Sequence, residues 1–419
     1  MTPSGDAMTR SAVIVGGNRT PFVKAGTSFA AASNSDLLTA ALDGLAARFG
    51  LAGRRLDEVA GGAVLKHSRD FNLTREAVMG SALDPTTPAV DLQQACATGV
   101  ETVVYIANKI ALGQADVGVG AGVDSASDAP ITITEPLRRA LLRANRARSL
   151  PERLRALATI RPHHLAPVAP QVVEPRTGLS MGEHQAVTTA KWEITRQAQD
   201  ELALASHRNL AAAWDSGFFG DLVTGYLGVN RDGLLRPDTS LEKLAVLKPA
   251  FGGPDGTMTA GNSTPLTDGA AAVLLAEEGW AEANGLPRLA RLVDAQVAAV
   301  DHTSGDDLLL APTDAAARLL ERQGMALGDF ELYELHEAFA ATVLATLAKW
   351  EKSGLGTIDT DRMNVTGSSL AAGHPFAATG GRIVATLAKL LHARGSGARG
   401  LVSVCAAGGQ GIVAILEAV

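Results

Sequence analysis

The chain has 419 residues, more than one hydrophobic core normally serves, and this length predicts two or three domains. A net charge of -7 argues against nucleic-acid binding as the main activity, because that activity needs a concentrated basic surface. The two cysteines follow no metal-binding spacing, and no signal peptide or apolar run of about 18 residues occurs, so we expect no metal site and predict a cytoplasmic protein.

The first predicted elements alternate between strands and helices. A buried strand at 12–17 precedes helices at about 35–49 and 100–112, and the clearest strand is the run Val117–Val123. Such alternation is typical of parallel α/β layers. We therefore predict an α/β fold.

The composition changes between about 126 and 256, where arginines cluster, prolines recur and a long polar helix is predicted at about 195–213. We interpret this stretch as an insertion, because a strand-like apolar run returns at 268–276. The predicted organisation is a first α/β half at 1–125 and 257–279, an inserted loop domain at 126–256, and a second half at 280–419.

The second half repeats the first in outline. Each half contains a Gly-rich turn, a helix, a strand that ends in small residues, and a last apolar strand. At the level of sequence this repeat is weak. The predicted elements of the second half are a strand at 329–335, helices at 337–351 and 378–393, and strands at 400–405 and 411–417.

Cys96 directly precedes the predicted helix Val100–Leu112. At a helix N-terminus, free N–H groups and the helix dipole favour a thiolate and so lower the pKa of a thiol. The small neighbours Ala95, Ala97 and Gly99 would let a substrate approach closely. Cys96 is therefore a candidate nucleophile, and a buried structural cysteine is the alternative.

Cys405 ends a predicted strand that opens into a glycine turn at 406–411. The carboxyl ends of strands are where α/β proteins place their chemistry, although a core cysteine is again the alternative. The stretch Gly409–Ala414 also matches a loose dinucleotide-binding pattern. Too few residues follow it for a βαβ unit, which excludes that interpretation.

Two of the nine histidines are candidates for chemistry. His374 lies in a Gly/Pro turn that leads into a helix, where it could act as a base toward a thiol. His336 follows the strand Phe330–Leu335 and starts a helix, and its Nε2–H could donate to an oxyanion. For either one alone, a capping or solvated histidine is the alternative. No spacing typical of a zinc site occurs.

Together these segments resemble the thiolase family, nearly end to end. The motifs that carry the resemblance are Gly17–Phe22, the segment around Cys96, Gly256–Ala270, His336–Phe339, Gly373–Pro375 and Cys405–Gly411. The resemblance implies two similar α/β halves in a five-layered αβαβα core, with an inserted loop domain. Many short-chain thiolases have asparagine in place of His336. In this respect the chain is similar to the thiolase β-subunits of trifunctional fatty-acid oxidation complexes and their bacterial relatives.

The resemblance implies cleavage of a 3-ketoacyl-CoA by coenzyme A, or the reverse Claisen condensation, through a covalent intermediate. Cys96 would carry the acyl group after His374 takes its proton. The backbone N–H groups of Cys96 and Ala407 would bind the oxyanion. His336, with His374, would stabilise the enolate oxygen, and Cys405 would exchange protons with the enolate carbon and with coenzyme A.

Coenzyme A is a substrate in this scheme, so the resemblance implies no cofactor. By family position Thr264 and Met181 line the tunnel for its pantetheine arm, with ordinary packing as the alternative for Met181. The family also implies a homo-oligomer, either dimer or tetramer, and leaves an α-subunit of a β-oxidation complex open as a partner.

Three other functions stay open at this point. They are a biosynthetic acetoacetyl-CoA thiolase, a catalytically weak lipid-binding relative, and a decarboxylating condensing enzyme of the ketoacyl-synthase type. The last would not need a second cysteine, so Cys405 argues against it.

Residues 135–161 hold eight arginines against two glutamates. Leucines at helical spacing predict two short amphipathic helices with a break near Ser149–Pro151. We predict that this basic segment is a peripheral docking surface for a partner or an anionic membrane. A solvated basic face and attraction of the CoA phosphates are the alternatives.

Overall fold

The computed structural model describes residues 10–419. The strands are β1 (Ala12–Arg19), β2 (Val23–Lys24), β3 (Glu58–Gly61), β4 (Ala89–Asp91), β5 (Val117–Ser125), β6 (Thr132–Ile133), β7 (Pro167–Val168), β8 (Pro249–Phe251), β9 (Met258–Thr259), β10 (Thr267–Glu277), β11 (Ala290–Ala299), β12 (Leu332–Leu335), β13 (Arg399–Ala406) and β14 (Gln410–Ala418). The helices are α1 (Asn34–Phe49), α2 (Leu73–Gly80), α3 (Thr98–Ala111), α4 (Glu135–Arg146), α5 (Leu150–Leu157), α6 (Met181–Lys191), α7 (Arg196–Asp215), α8 (Leu241–Ala245), α9 (Glu278–Ala283), α10 (Ala311–Gln323), α11 (Ala340–Lys352), α12 (Ser369–Ala372) and α13 (Ala378–Arg394).

The two halves have the same strand order, which accounts for the weak repeat in the sequence. In the first half the order is β4-β3-β5-β10-β1, and in the second it is β12-β13-β14-β11. In the first half β1 pairs antiparallel with β10, β10 antiparallel with β5, and β5 parallel with β3. In the second half β11 pairs antiparallel with β14, β14 antiparallel with β13, and β13 parallel with β12. A parallel bridge from Tyr333 to Met363 occupies the place that β4 takes in the first half.

The predicted parallel layers are present only in part, because both halves end in an antiparallel pair. In the second half β13 returns directly into β14 through a three-residue turn, and such a short connection permits only antiparallel pairing. The half-sheets are also continuous, since β1 pairs with β11 through Val13 and Ile14.

Helices cover both faces of the folded sheet and give the five predicted layers. Helices α1 and α2 pack on the outer face of the first half, and α10 packs on the outer face of the second. Between the halves lie α3 and α13, whose buried side chains form the central core together with β-strand residues from both halves. This αβαβα architecture confirms the predicted fold class.

Local sequence signals set the ends of these helices. The helix α1 begins after Ser33, whose hydroxyl accepts from the backbone N–H of Asp36 while the Asp36 carboxylate accepts in return. It ends at Gly50, which has a φ of 63°. These are the polar start and glycine stop that free helix ends require.

The inserted region carries α4 to α8, the strand pair β6–β7, and β8, which pairs with β9 just after the region. The two amphipathic helices predicted in the basic segment are present as α4 and α5, and Ser149 caps the second. Their leucines are not all buried: Leu150 is 67% exposed and Leu154 is 57% exposed, whereas Leu137 is buried. Among residues 10–419, no helix has the length and apolar character needed to cross a bilayer.

Candidate active site

Cys96 lies in a tight turn between β4 and the start of α3. Ala95 adopts a left-handed backbone conformation with a φ of 46°, which is unfavourable for any residue with a side chain. The Thr98 hydroxyl closes the turn, because it accepts from the N–H of Gln94 and donates to the carbonyl of Ala95. This turn holds Cys96 two residues before the first residue of α3.

His374 is held by hydrogen bonds on three sides. Its Nε2 lies 3.2 Å from Sγ of Cys96, and its Nδ1 lies 2.6 Å from the hydroxyl of Thr379. Its backbone N–H donates to the hydroxyl of Thr267. If Nδ1–H donates to Thr379, the lone pair of Nε2 faces the thiol, as a base requires.

Cys405 is the next-to-last residue of β13, close to a turn that carries the backbone amide of Ala407. The turn runs through Ala407, Gly408 and Gly409, and both glycines have positive φ values of 82° and 68°. Hydrogen bonding by the backbone amides of Ala407 and of Cys96 itself lowers the pKa of the Cys96 thiol, against the larger effect of burial. The two amides predicted from sequence therefore both act on the Cys96 thiol.

One largely apolar cavity of about 360 Å³ joins most of the predicted residues. Cys96, His374, Cys405 and Ala407 line it, and so do Thr264 and Met181. Phe251, Phe339 and Phe376 supply aromatic lining. A cavity of this size and composition suits a small apolar group attached to a long carrier.

His336 lies beside this cavity without lining it. Its ring lies against that of His374, with centroids 4.2 Å apart and planes inclined by 46°, and it borders a second, much smaller cavity of about 10 Å³ that it shares with Cys405. The prediction that His336 starts a helix is wrong, since α11 begins at Ala340. The backbone between His336 and Ala340 makes hydrogen bonds outside any helix, since the carbonyl of Ala338 accepts from the N–H and the hydroxyl of Thr264.

The pKa values of the reacting groups are set mainly by burial. Burial raises the pKa of Cys96 to about 12, although the amides of Ala407 and Cys96 act in the opposite direction. Burial, with the charge of Arg382, lowers the pKa of His374 to about 3. Burial and the neighbouring Cys96 raise the pKa of Cys405 above its usual range.

At neutral pH the resting pair is thus a thiol beside a neutral imidazole. The lowered pKa predicted for Cys96 from its place near a helix N-terminus is wrong for the free protein, because desolvation of the thiolate outweighs the amide contacts.

Sequence reasoning missed a buried carboxylate, Asp124, at the end of β5. It accepts backbone N–H bonds from Val64, Leu65 and Ala377, and so ties one wall of the cavity to the turn after His374. Burial raises its pKa to about 7. Its place at the carboxyl end of a central strand was the one available signal.

Sequence reasoning also missed Glu174, in the inserted region. Its carboxylate accepts from the N–H of Gly408 at 2.5 Å, and this bond holds the turn that carries Ala407. No motif marks Glu174, because the contact joins segments more than 200 residues apart.

Comparison with known proteins agrees with this geometry. The chain matches the thiolase N-terminal domain over residues 12–279 and the thiolase C-terminal domain over residues 286–418.

The chain belongs to the thiolase family.

This thiolase is 40% identical to 3-ketoacyl-CoA thiolases of Yersinia pestis and Yersinia pseudotuberculosis, over 100% of its own length and 98% of theirs. It also superposes on the crystal structure of an acetyl-CoA acetyltransferase from Bacillus anthracis with a TM-score of 0.83. That match has 30% sequence identity and covers 98% of this chain and 99% of the other.

Proposed function

We propose that this thiolase cleaves 3-ketoacyl-CoA to acetyl-CoA and a shortened acyl-CoA, or runs the reverse condensation, with Cys96 as the acyl carrier. The observation that carries this proposal is the 3.2 Å contact between Nε2 of His374 and Sγ of Cys96, in a cavity that also holds a second thiol. The curated relatives named 3-ketoacyl-CoA thiolase support the substrate class.

In the first half-reaction the thiol proton moves to Nε2 of His374 as the sulfur attacks the C3 ketone. Because the resting pair is neutral, we expect proton transfer and attack to occur together. The N–H groups of Cys96 and Ala407 stabilise the tetrahedral oxyanion. The C2–C3 bond then breaks, its electron pair forms the enolate of acetyl-CoA, and Cys405 protonates C2.

The second half-reaction returns every proton. The Cys405 thiolate takes the thiol proton of coenzyme A, and the resulting thiolate attacks the acyl group on Cys96. Sγ of Cys96 leaves as the thioester of coenzyme A forms, and the imidazolium of His374 gives its proton back. Two acyl transfers thereby replace one difficult carbon–carbon cleavage.

The rest of the cavity supports coenzyme A as the second substrate. Thr264 and Met181 line the same cavity as the two thiols, and the pantetheine arm would pass along them. The proposed chemistry uses coenzyme A as a substrate and no cofactor.

A thiolysis assay tests the proposal, with acetoacetyl-CoA and a longer 3-ketoacyl-CoA as substrates and loss of the Mg-enolate absorbance as the signal. We expect turnover that Cys96→Ala abolishes. Preference for acetoacetyl-CoA alone would favour the biosynthetic alternative. Binding of acyl-CoA without thiolysis at any chain length would make the chain a lipid-binding relative and refute the proposal.

Three finer parts of the sequence-based account stay proposals. We propose a homo-oligomer, a cytoplasmic location and, as an open partner, the α-subunit of a β-oxidation complex. Size-exclusion chromatography with light scattering tests the first, fractionation of the source cells the second, and co-purification the third.

A further inference from the structure

His336 has one partnered and one unpartnered ring nitrogen. Its side chain is buried, with 3% of the residue exposed. Nδ1 lies 2.8 Å from the hydroxyl oxygen of Ser369, whereas Nε2 has no hydrogen-bond partner anywhere in residues 10–419. A buried nitrogen without a hydrogen bond destabilises the folded protein, so we ask whether Nε2 carries the proton with which it could bind a substrate oxygen.

The environment of Ser369 decides where its proton lies. Nη2 of Arg382 donates to the Ser369 hydroxyl at 3.0 Å, and a guanidinium has donors only. Within the described chain, Nδ1 of His336 is the other hydrogen-bond partner of that oxygen. The hydroxyl proton therefore points to Nδ1, which accepts it.

Arg382 carries its charge inside the protein, next to other ionisable side chains. Arg382 lies on α13 and is buried, and the charges of Glu334 and Glu337 raise its pKa against the lowering effect of burial. Burial, His374 and Arg382 lower the pKa of His336 well below its usual value, so the imidazole is neutral. A neutral imidazole that accepts at Nδ1 carries its proton on Nε2.

We infer that Ser369 and Arg382 are positioning residues that hold His336 in its Nε2–H tautomer, so that it donates to the thioester oxygen of the enolate. This inference rests on the proposed thiolase reaction and extends it to residues that do not touch substrate. Neither residue lines the main cavity, and both act through His336.

Ser368 provides a matched control for Ser369. Both serines are buried, and both accept a hydrogen bond from Nη2 of Arg382, at 3.1 Å and 3.0 Å. Ser368 donates to the carbonyl of Leu335 and makes no bond to His336. Ser369→Ala and Ser368→Ala therefore remove the same group from the same environment, and only the first releases the imidazole.

The first experiment compares these variants in thiolysis and in acylation of Cys96 by a simple acyl-CoA. We expect Ser369→Ala to lower kcat of thiolysis roughly 10- to 100-fold, less than complete loss of an oxyanion donor costs. Its acylation rate and KM should stay within about threefold, and Ser369→Thr should restore turnover. Ser368→Ala should stay near wild type, and equal losses in both serine variants would overturn the inference.

A double-mutant cycle with His336→Gln isolates the tautomer. The glutamine Nε2 is a donor whatever Ser369 does, so Ser369→Ala should have little further effect in that background. A full further loss there would show that Ser369 acts through packing and would overturn the inference.

The proposed function fails separately from this inference. Wild-type protein without thiolysis at any chain length would refute the function itself. An active wild type with an impaired His336→Ala variant and an unimpaired Ser369→Ala variant would refute only the role of Ser369.

Discussion

Gly99 and Gly380 lie against each other where the first turns of α3 and α13 cross. A Cβ atom on Gly99 would lie 3.2 Å from Cα of Gly380, and a Cβ on Gly380 would lie 2.4 Å from the backbone nitrogen of Val100. The two helix starts can approach this closely because neither residue has a side chain. This contact places Cys96, from the first half, within reach of His374, from the second.

Replacement of Gly380 by alanine should therefore separate the nucleophile from its base. Backbone cannot yield to a Cβ at 2.4 Å without a shift of one helix, and a displacement of about 1 Å costs roughly 100-fold in rate. We expect that loss in acylation of Cys96, measured by stopped-flow release of coenzyme A. Gly220→Ala is the control, since a Cβ there meets no atom within 4 Å. Activity of Gly380→Ala within threefold of wild type would contradict the packing account.

The pH dependence of alkylation by iodoacetamide should show that Cys96 and His374 are both neutral in the free protein. With the pKa of Cys96 near 12 and that of His374 near 3, the thiolate fraction rises about tenfold for each pH unit across the neutral range. We expect the alkylation rate of Cys96 to follow that rise from pH 7 to 9 and to exceed the rate at Cys405, which is more deeply buried. A rate that reaches a plateau below about pH 8 would instead indicate a thiolate–imidazolium pair.

Asp124→Asn should destabilise the protein although the side chains have the same shape. The asparagine NH₂ would face backbone N–H donors that now bond to carboxylate oxygens, which leaves at least one donor unpaired. We expect the free energy of unfolding to fall by about 1–3 kcal/mol in urea titration. Asp361→Asn, at an exposed carboxylate, should leave it unchanged. Equal stability of the two variants would mean that Asp124 does not brace the site.

The basic segment at 135–161 stays a predicted docking surface. Arginines and exposed leucines share this segment, and Leu150 and Leu154 project into solvent. Reversal of Arg138, Arg139, Arg143 and Arg146 to glutamate should abolish binding to anionic vesicles or to a partner, while acetoacetyl-CoA thiolysis stays within a few-fold. The matched control reverses four exposed arginines elsewhere, Arg55, Arg208, Arg318 and Arg394.

Two outcomes would end that prediction. One is a wild type that binds neither vesicles nor a partner in sedimentation. The other is a sharp rise in KM for coenzyme A after the reversal, which would assign the arginines to substrate.

The candidate site was predictable from sequence because its side chains stand at the ends of regular elements. Cys96 and His374 precede helices, Cys405 is the next-to-last residue of a strand, and small or turn-forming residues surround each one. Periodicity and glycine turns mark such ends, and the resemblance to a family joins them into one site.

What sequence could not predict depends on contacts between distant segments. Asp124 is one of 44 acidic residues, and only its three backbone partners distinguish it. The pKa of Cys96 depends on how completely the folded chain excludes solvent, which a helix N-terminus alone does not reveal. The inferred tautomer of His336 depends on Arg382, which lies on a helix 46 positions further along the chain.

The central claim is that Cys96 carries the acyl group while Cys405 handles the proton at the enolate carbon. The most direct measurement is peptide mass spectrometry of the Cys405→Ala variant after incubation with a simple acyl-CoA, paired with its thiolysis rate. The account predicts one acyl group on the peptide that contains Cys96, and thiolysis reduced by roughly 10²–10⁴-fold, the range of a general acid–base group. An acyl group on any other residue, or thiolysis within about threefold of wild type, would contradict it.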